Sequence, residues 1–185
     1  TAGRETAEDH YGIRYKGSGL LSSKTTTIRI DTESDTAHTT NITGQNVNIA
    51  AKRDAVFEAA NIAADNDVNI TAGRNFSAVS AENYSHTENY KEVKKSGIFG
   101  SGGGLGFTIG TQQTKTTRDS DAITQKGTNI AALGGNVAIS AGEKAHISSG
   151  NILADKDATI TAKETSIDGK YNIYRESITQ ESKTT

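Results

Sequence analysis

Small apolar residues alternate with polar ones in short bursts along this chain, and the bursts recur. Asn46-Val47-Asn48-Ile49-Ala50-Ala51 returns 21 residues later as Asp67-Val68-Asn69-Ile70-Thr71-Ala72. Asn136-Val137-Ala138-Ile139-Ser140-Ala141 returns at the same step as Asp157-Ala158-Thr159-Ile160-Thr161-Ala162. Period two belongs to a half-buried strand, so Val47, Ile49 and Ala51 are expected inward and Asn46, Asn48 and Ala50 outward. A second short strand is expected over 55–59 and 145–149. A third opens on Asn-Ile, at Asn41-Ile42, Asn61-Ile62, Asn129-Ile130 and Asn151-Ile152. Three short strands in a turn of about 20 residues predict a parallel β-helix. Ile49 then lies about 4.8 Å from Ile70 in one inward stack. A helical reading fails, because the apolar residues miss the 3.6 period and β-branched residues, Gly and Asn dominate.

A longer repeat encloses the short one. Gly44 to Ala72 lies over Gly134 to Ala162 without a gap, a spacing of 90 residues. Residues 81–125, between the blocks, break the rung pattern. They read as two extended legs around a glycine-rich tip, with Tyr84, His86 and Tyr90 on a polar upstream leg. The downstream leg alternates Leu105, Phe107 and Ile109 with Gly and Thr. Near the N-terminus Ser18-Gly19-Leu20-Leu21 matches Ser96-Gly97-Ile98-Phe99, with Ile28 and Ile30 in the places of Phe107 and Ile109. Tyr174 lies 90 residues after Tyr84 and starts a third leg. The expected organisation is one array. It has the end of a first arm and the approach to the coil (1–43), a coil block (44–80), a glycine-rich arm (81–125), a second coil block (126–168) and the truncated start of a third arm (169–185).

Composition narrows the chemistry. The 185 residues carry a net charge of −2, and mean hydropathy is −0.57. The basic residues are scattered in sequence, Lys94-Lys95 being the densest pair, so charge gives no reason to expect nucleic acid or an anionic membrane. Cysteine is absent, which removes disulfides and thiolate metal sites. Absent too are Met, Trp and Pro, a set that suits a chain crossing an oxidising compartment unfolded. Proline cannot donate to a strand ladder, and its absence favours long uninterrupted pairing. No apolar run reaches the length of a transmembrane helix. Thr1 follows no leader or initiator Met, so the sequence reads as an excised fragment.

The pairing of GNVxIxA rungs with the arm SGIFGSGGGLGFTIGTQ at 96–112 resembles the hemagglutinin repeats of filamentous hemagglutinin-like two-partner secretion exoproteins. It is most like the second repeat region of contact-dependent growth inhibition toxin proteins. That resemblance covers nearly the whole chain, and the arm is its more specific part. It implies a right-handed parallel β-helix with protruding extended β-hairpin arms, the handedness also agreeing with the usual chirality of parallel connections. It further implies secretion to the surface of a Gram-negative bacterium through an outer-membrane two-partner secretion transporter. The role implied is a filament that supports adhesion and the delivery of a C-terminal toxin across the target cell outer membrane. In the first arm Leu20-Leu21-Ser22-Ser23-Lys24 replaces the glycine run, so a flexible glycine tip is not common to every copy.

Candidate catalytic, cofactor and metal residues do not emerge. The glycines from Gly97 to Gly110 permit no G-x-G-x-x-G, and no G-K-[ST] follows. Asp65-Asn66-Asp67, Asp119-Ser120-Asp121 and Asp155-Lys156-Asp157 offer too few oxygens for calcium. Two of these precede a strand, where Asp and Asn favour turns by bonding their own backbone. His10, His38, His86 and His146 lack metal-ligand spacing. His146 stands where the first block has Val56 and is expected on a coil strand. A β-helical polysaccharide-active enzyme would need acidic and basic side chains converging on one face, and the outward positions are Asn, Thr, Ser and Ala. A host-binding adhesin remains the alternative to toxin delivery. The arms carry the candidate membrane- or partner-contacting residues Ile98, Phe99, Leu105, Phe107 and Ile109. Exposed apolar strands aggregate, so each hairpin is expected to fold back and pair with neighbouring arms as a side sheet, with self-association of arms or open ends as a further outcome. An arm that leaves the helix needs only about ten alternating residues to cross a hydrocarbon layer as a tilted strand.

Overall fold

A computed structural model describes residues 2–100 and 107–185, with the backbone alone for 99, 100, 107 and 108. Strands account for all its regular structure: the described chain is all-β, and it divides into two compact units. The first comprises Thr1–Glu5, Asp35–Tyr84 and Ile123–Ile173; the second comprises Thr6–Ser34, Ser85–Ala122 and Tyr174–Thr185.

In the first unit the chain visits three sheets in strict rotation. β3 (Thr40–Gly44), β4 (Val47–Ala51) and β5 (Ala55–Glu58) open them; β6 (Ala60–Ala64), β7 (Val68–Ala72) and β8 (Asn75–Val79) add the next layer. After a long excursion come β11 (Asn129–Ala132), β12 (Val137–Ala141) and β13 (Lys144–Ser148), then β14 (Asn151–Ala154), β15 (Ala158–Thr161) and β16 (Glu164–Asp168). The sheet orders are β14-β11-β6-β3, β15-β12-β7-β4 and β16-β13-β8-β5, with every pair parallel.

Register follows the sequence repeat. Ile49 pairs with Ile70, Ile70 with Ile139 and Ile139 with Ile160. The Asn-Ile strands stack likewise as Asn41, Asn61, Asn129 and Asn151. Identical residues in register put like side chains above one another, and a one-residue slip would turn each Ile outward. Val68, Ile70, Ile130, Val137 and Ile139 are buried in one core, each worth roughly 1.5–3 kcal/mol in transfer from water. In the third sheet size alternates: Ala55 pairs with Phe76, and Phe57 pairs with Ala78. The two rings thus share one layer gap, with centroids 6.0 Å apart.

Polar ladders run beside the core. Asn61 donates to Asn41 (3.2 Å), Asn129 to Asn61 (2.9 Å) and Asn151 to Asn129 (2.8 Å). At the bend before β4, β7, β12 and β15, backbone amides of Asp67, Asn136 and Asp157 donate to the side chains of Asn46, Asp67 and Asn136. Of these acceptors Asp67 was expected to bond its own backbone; its carboxylate instead accepts from the Asn136 amide of the next layer. A second bend recurs at Ala59 (φ 48°) and Ser149 (φ 54°), the two non-glycine residues in left-handed backbone among the described residues. Their amides donate to Val79 and Asp168 carbonyls at 3.1 and 3.0 Å. Left-handed backbone costs an L-residue roughly 1–2 kcal/mol, offset at Ala59 by full burial against Ala37 and Ala81.

The excursion ends at Thr128. Its buried hydroxyl donates to the Val79 carbonyl at 2.8 Å, with the Phe57 carbonyl also near at 3.2 Å. It accepts from the Ala60 amide at 3.2 Å. One side chain thus satisfies backbone groups of two preceding layers where the chain rejoins them.

β1 (Gly3–Ser18), β2 (Ser22–His38), β9 (Ala81–Gly100), β10 (Phe107–Lys126) and β17 (Ile173–Thr184) pair in the order β1-β2-β9-β10-β17, and the second unit holds the greater part of each. The expected pairing of arms with one another is therefore observed. Threonine-rich sequence and the absence of proline allow strands of up to 20 residues.

Candidate functional site: the five-stranded sheet

Cross-strand pairs fix which residues share a face. His10 on β1 meets Asp31 on β2 at 2.8 Å. The Arg29 guanidinium lies 4.6 Å from the centre of the Tyr90 ring, joining β2 to β9. The hydroxyls of Ser23 and Ser96 are 2.7 Å apart. Between β9 and β10, His86 Nδ1 meets Asp121 Oδ1 at 2.7 Å, and Gln113 donates to Glu92. Ser177 on β17 donates to Asp119 on β10 at 3.4 Å. By strand alternation, even positions of β1 and β9 and odd positions of β2, β10 and β17 make one polar, charged face. The opposite face carries Tyr11, Ile13 and Tyr15 on β1 beside Ile28 and Ile30 on β2.

Charge is unevenly placed along this unit. The half beside the Gly19–Leu21 turn and the strand ends at Gly100 and Phe107 draws on 12–29, 90–115 and 181–185. Those spans hold nine Lys or Arg and two Glu. The rest of the unit holds eight Asp or Glu and two Arg, with His10 and His86 among them. Each histidine is pushed above the ordinary imidazole value, chiefly by its carboxylate hydrogen bond, to Asp31 and to Asp121 respectively. Nearby Glu8 and Asp9 add to the shift at His10, and Glu33 and Asp119 add to it at His86.

Sequence reading treated the cations as scattered, yet hairpin pairing gathers them. The legible signal was their placement: Lys16 and Lys24 flank the Gly19–Leu21 turn, and Lys94 and Lys115 lie near the end of β9 and the start of β10. The apolar candidates fare differently. Ile98 on β9 and Ile109 on β10 are 41% and 81% exposed. Phe99 and Phe107 lie at the described ends of those strands, their side chains outside the described residues, and Leu105 lies outside them altogether. Leu20 and Leu21, at the turn between β1 and β2, are exposed as well. Among the described residues no three His, Asp or Glu side chains are grouped to hold a metal ion. His146 does lie on a stacked strand, β13, with its Nδ1 2.8 Å from the hydroxyl of Ser166.

Known proteins can be set beside this geometry. The "Hemagglutinin repeat" family model matches residues 17–183. The chain is 34% identical over 171 residues to the tRNA nuclease CdiA of Escherichia coli O6:K15:H31, covering 91% of this chain and 5% of that protein. It is 39% identical over 152 residues to the 16S rRNA endonuclease CdiA of Enterobacter cloacae, covering 78% of this chain and 4% of the relative. To the deoxyribonuclease CdiA of Dickeya dadantii it is 32% identical over 185 residues, with coverages of 97% and 5%. The chain thus spans about one-twentieth of the length of these relatives. No solved structure matches it. Rungs repeated in register, paired arms and a family match over nearly every residue lead to one conclusion: this chain belongs to the hemagglutinin repeat family.

Proposed function

We propose that this chain is a non-catalytic structural segment of a secreted bacterial surface exoprotein, supporting adhesion and the delivery of a C-terminal toxin across the target cell outer membrane in contact-dependent growth inhibition. In this reading the three-sheet unit is a right-handed parallel β-helix, the hand in which parallel connections overwhelmingly run. It forms part of a filament at the surface of a Gram-negative cell, exported through an outer-membrane two-partner secretion transporter. Ile98, Phe99, Leu105, Phe107 and Ile109 are its proposed membrane- or partner-contacting residues.

The observation that carries the reading is a contrast among the relatives. Their names specify three different activities, on tRNA, on 16S rRNA and as a deoxyribonuclease, while each shares this segment at 32% identity or more. A stretch common to proteins with different nucleic-acid substrates is not what chooses the substrate. A stack of aliphatic layers in register is, in turn, what a spacer requires.

The test uses the intact exoprotein. Residues 81–127 are deleted in frame, joining Ser80 to Thr128, and surface display and inhibition of target cells in co-culture are measured. Display is expected to persist while inhibition falls to background. Undiminished inhibition would overturn the delivery role.

A further inference from the structure

The turn-side half of the polar face is hollowed as well as basic, with Arg14, Lys16, Arg29, Lys94, Lys115 and Lys183 of those cations on it by strand alternation. One open groove there crosses four strands, lined by Lys16, Ser23, Thr25, Lys94, Ser96 and Thr111, among others. It shares Thr25 and Lys94 with a second groove that contains Arg14, Arg29 and Tyr90. A third, with Lys115 and Lys183, adjoins it through Gln113.

Few of these cations are neutralised. Among the described residues Arg14, Lys16, Lys115 and Lys183 have no carboxylate within ion-pair distance. Lys94 meets Glu92 at 3.3 Å, the one carboxylate in the first two grooves. Like charges gathered within about a Debye length repel, and an incoming polyanion relieves that repulsion. Lysine ammonium groups bind phosphate as mobile point charges. The Ser, Thr and Gln side chains between them donate and accept, matching the hydroxyls of a sugar.

A base-stacking platform is not offered, because Arg29 covers the Tyr90 ring. Nor do the grooves have the apolar lining that acyl chains need. Four strands at about 4.8 Å spacing make a trough suited to an extended chain rather than to a lone phosphate.

We propose that this groove binds a phosphate-bearing glycan, with Lys16 and Lys94 on phosphates and Ser23, Thr25, Ser96 and Thr111 on sugar hydroxyls. The inference rests on the reading of the chain as a surface segment and gives its sheet a ligand.

Calorimetric titration of the 185-residue chain tests it, with phosphomannan, neutral mannan and inorganic phosphate as probes. Phosphomannan is expected to bind, mannan not to bind, and phosphate to bind far more weakly per phosphate. Lys16→Gln/Lys94→Gln should weaken phosphomannan binding about tenfold or more. Lys52→Gln/Lys163→Gln, with the same charge loss in the other unit, should change it less than twofold. Should the first pair lose its strand signal in circular dichroism, Lys94→Gln alone decides by the same readout. Equal loss in both pairs, equal binding of mannan, or tighter binding to phosphatidylglycerol vesicles or duplex DNA overturns the glycan site. No binding, with target inhibition still abolished by removal of 81–127, overturns the groove and leaves the delivery role standing.

Discussion

The Thr128 hydroxyl lies 2.8 Å from the Val79 carbonyl and holds together two points 49 residues apart in sequence. Thr26, equally buried, has a hydroxyl with no hydrogen-bond partner among the described residues. The same replacement should therefore act oppositely at the two sites. Thr128→Val leaves the Ala60 amide without its hydroxyl acceptor and the Val79 carbonyl with the Ala59 amide as its remaining donor, and should cost about 1–3 kcal/mol, whereas Thr26→Val removes an orphan and should be neutral or stabilising. Chemical denaturation followed by circular dichroism measures both. A Thr128→Val chain as stable as its parent would refute the bridging role.

Position within the ladder should grade the cost of truncation. Ile70 is fully buried between Ile49 and Ile139, and Ile160 is partly buried at the last layer. Ile70→Ala should cost about 3–5 kcal/mol and Ile160→Ala clearly less, since an end layer collapses around the gap. Equal losses in denaturant midpoint would contradict the layered core.

Gly97 lies against the first hairpin so closely that an added Cβ would meet the Leu21 carbonyl oxygen at 2.7 Å, and its φ is +151°. Gly97→Val should break the β2–β9 pairing near the turn. Hydrogen exchange should speed up at amides flanking 22 and 97 while those of β7 and β12 stay protected. Faster exchange confined to β7 and β12 would show that the argument is misplaced.

Two ion pairs predict pH effects of opposite sign. The His86 imidazole is raised above 6.5 by Asp121, so its contribution is complete below 6.5 and lost as pH rises through the raised value. Arg74 and Asn75 hydrogen bonds hold the Asp54 carboxyl at about 2 instead of 3.8, so its contribution is present above 3.8 and lost as pH falls toward 2. NMR titration should find His86 above 6.5. His86→Gln should flatten the loss of stability of the sheet above that pH, and Asp54→Asn the loss below 3.8. An imidazole titrating below 6.5 would remove the first effect.

Much of the stack was legible because its period is short and its core is made of identical residues. Val47, Ile49, Val68 and Ile70 announce their faces by alternation, and a shift of 21 finds their partners directly. The arms were legible as strands for the same reason. Their chemistry was less so, since hairpin pairing folds distant positions together. Lys16 and Lys94 are 78 residues apart, and only the β1-β2-β9 order makes them neighbours. The left-handed bends at Ala59 and Ser149 escaped notice too, because neither residue type favours that backbone.

Each layer of the stack pairs with the one before it, and β4, β7 and β12 never need a partner from further along than the next turn. A chain supplied from its N-terminal end can therefore be captured one turn at a time, each Ile closing over the last. Retreat by one turn would re-expose a full layer of aliphatic surface, while advance within a block needs about 20 more residues and only the step from β8 to β11 waits for the two long strands between them. Order of closure along such a stack thus follows order along the chain, each turn held by the burial of its own rungs against the turn before.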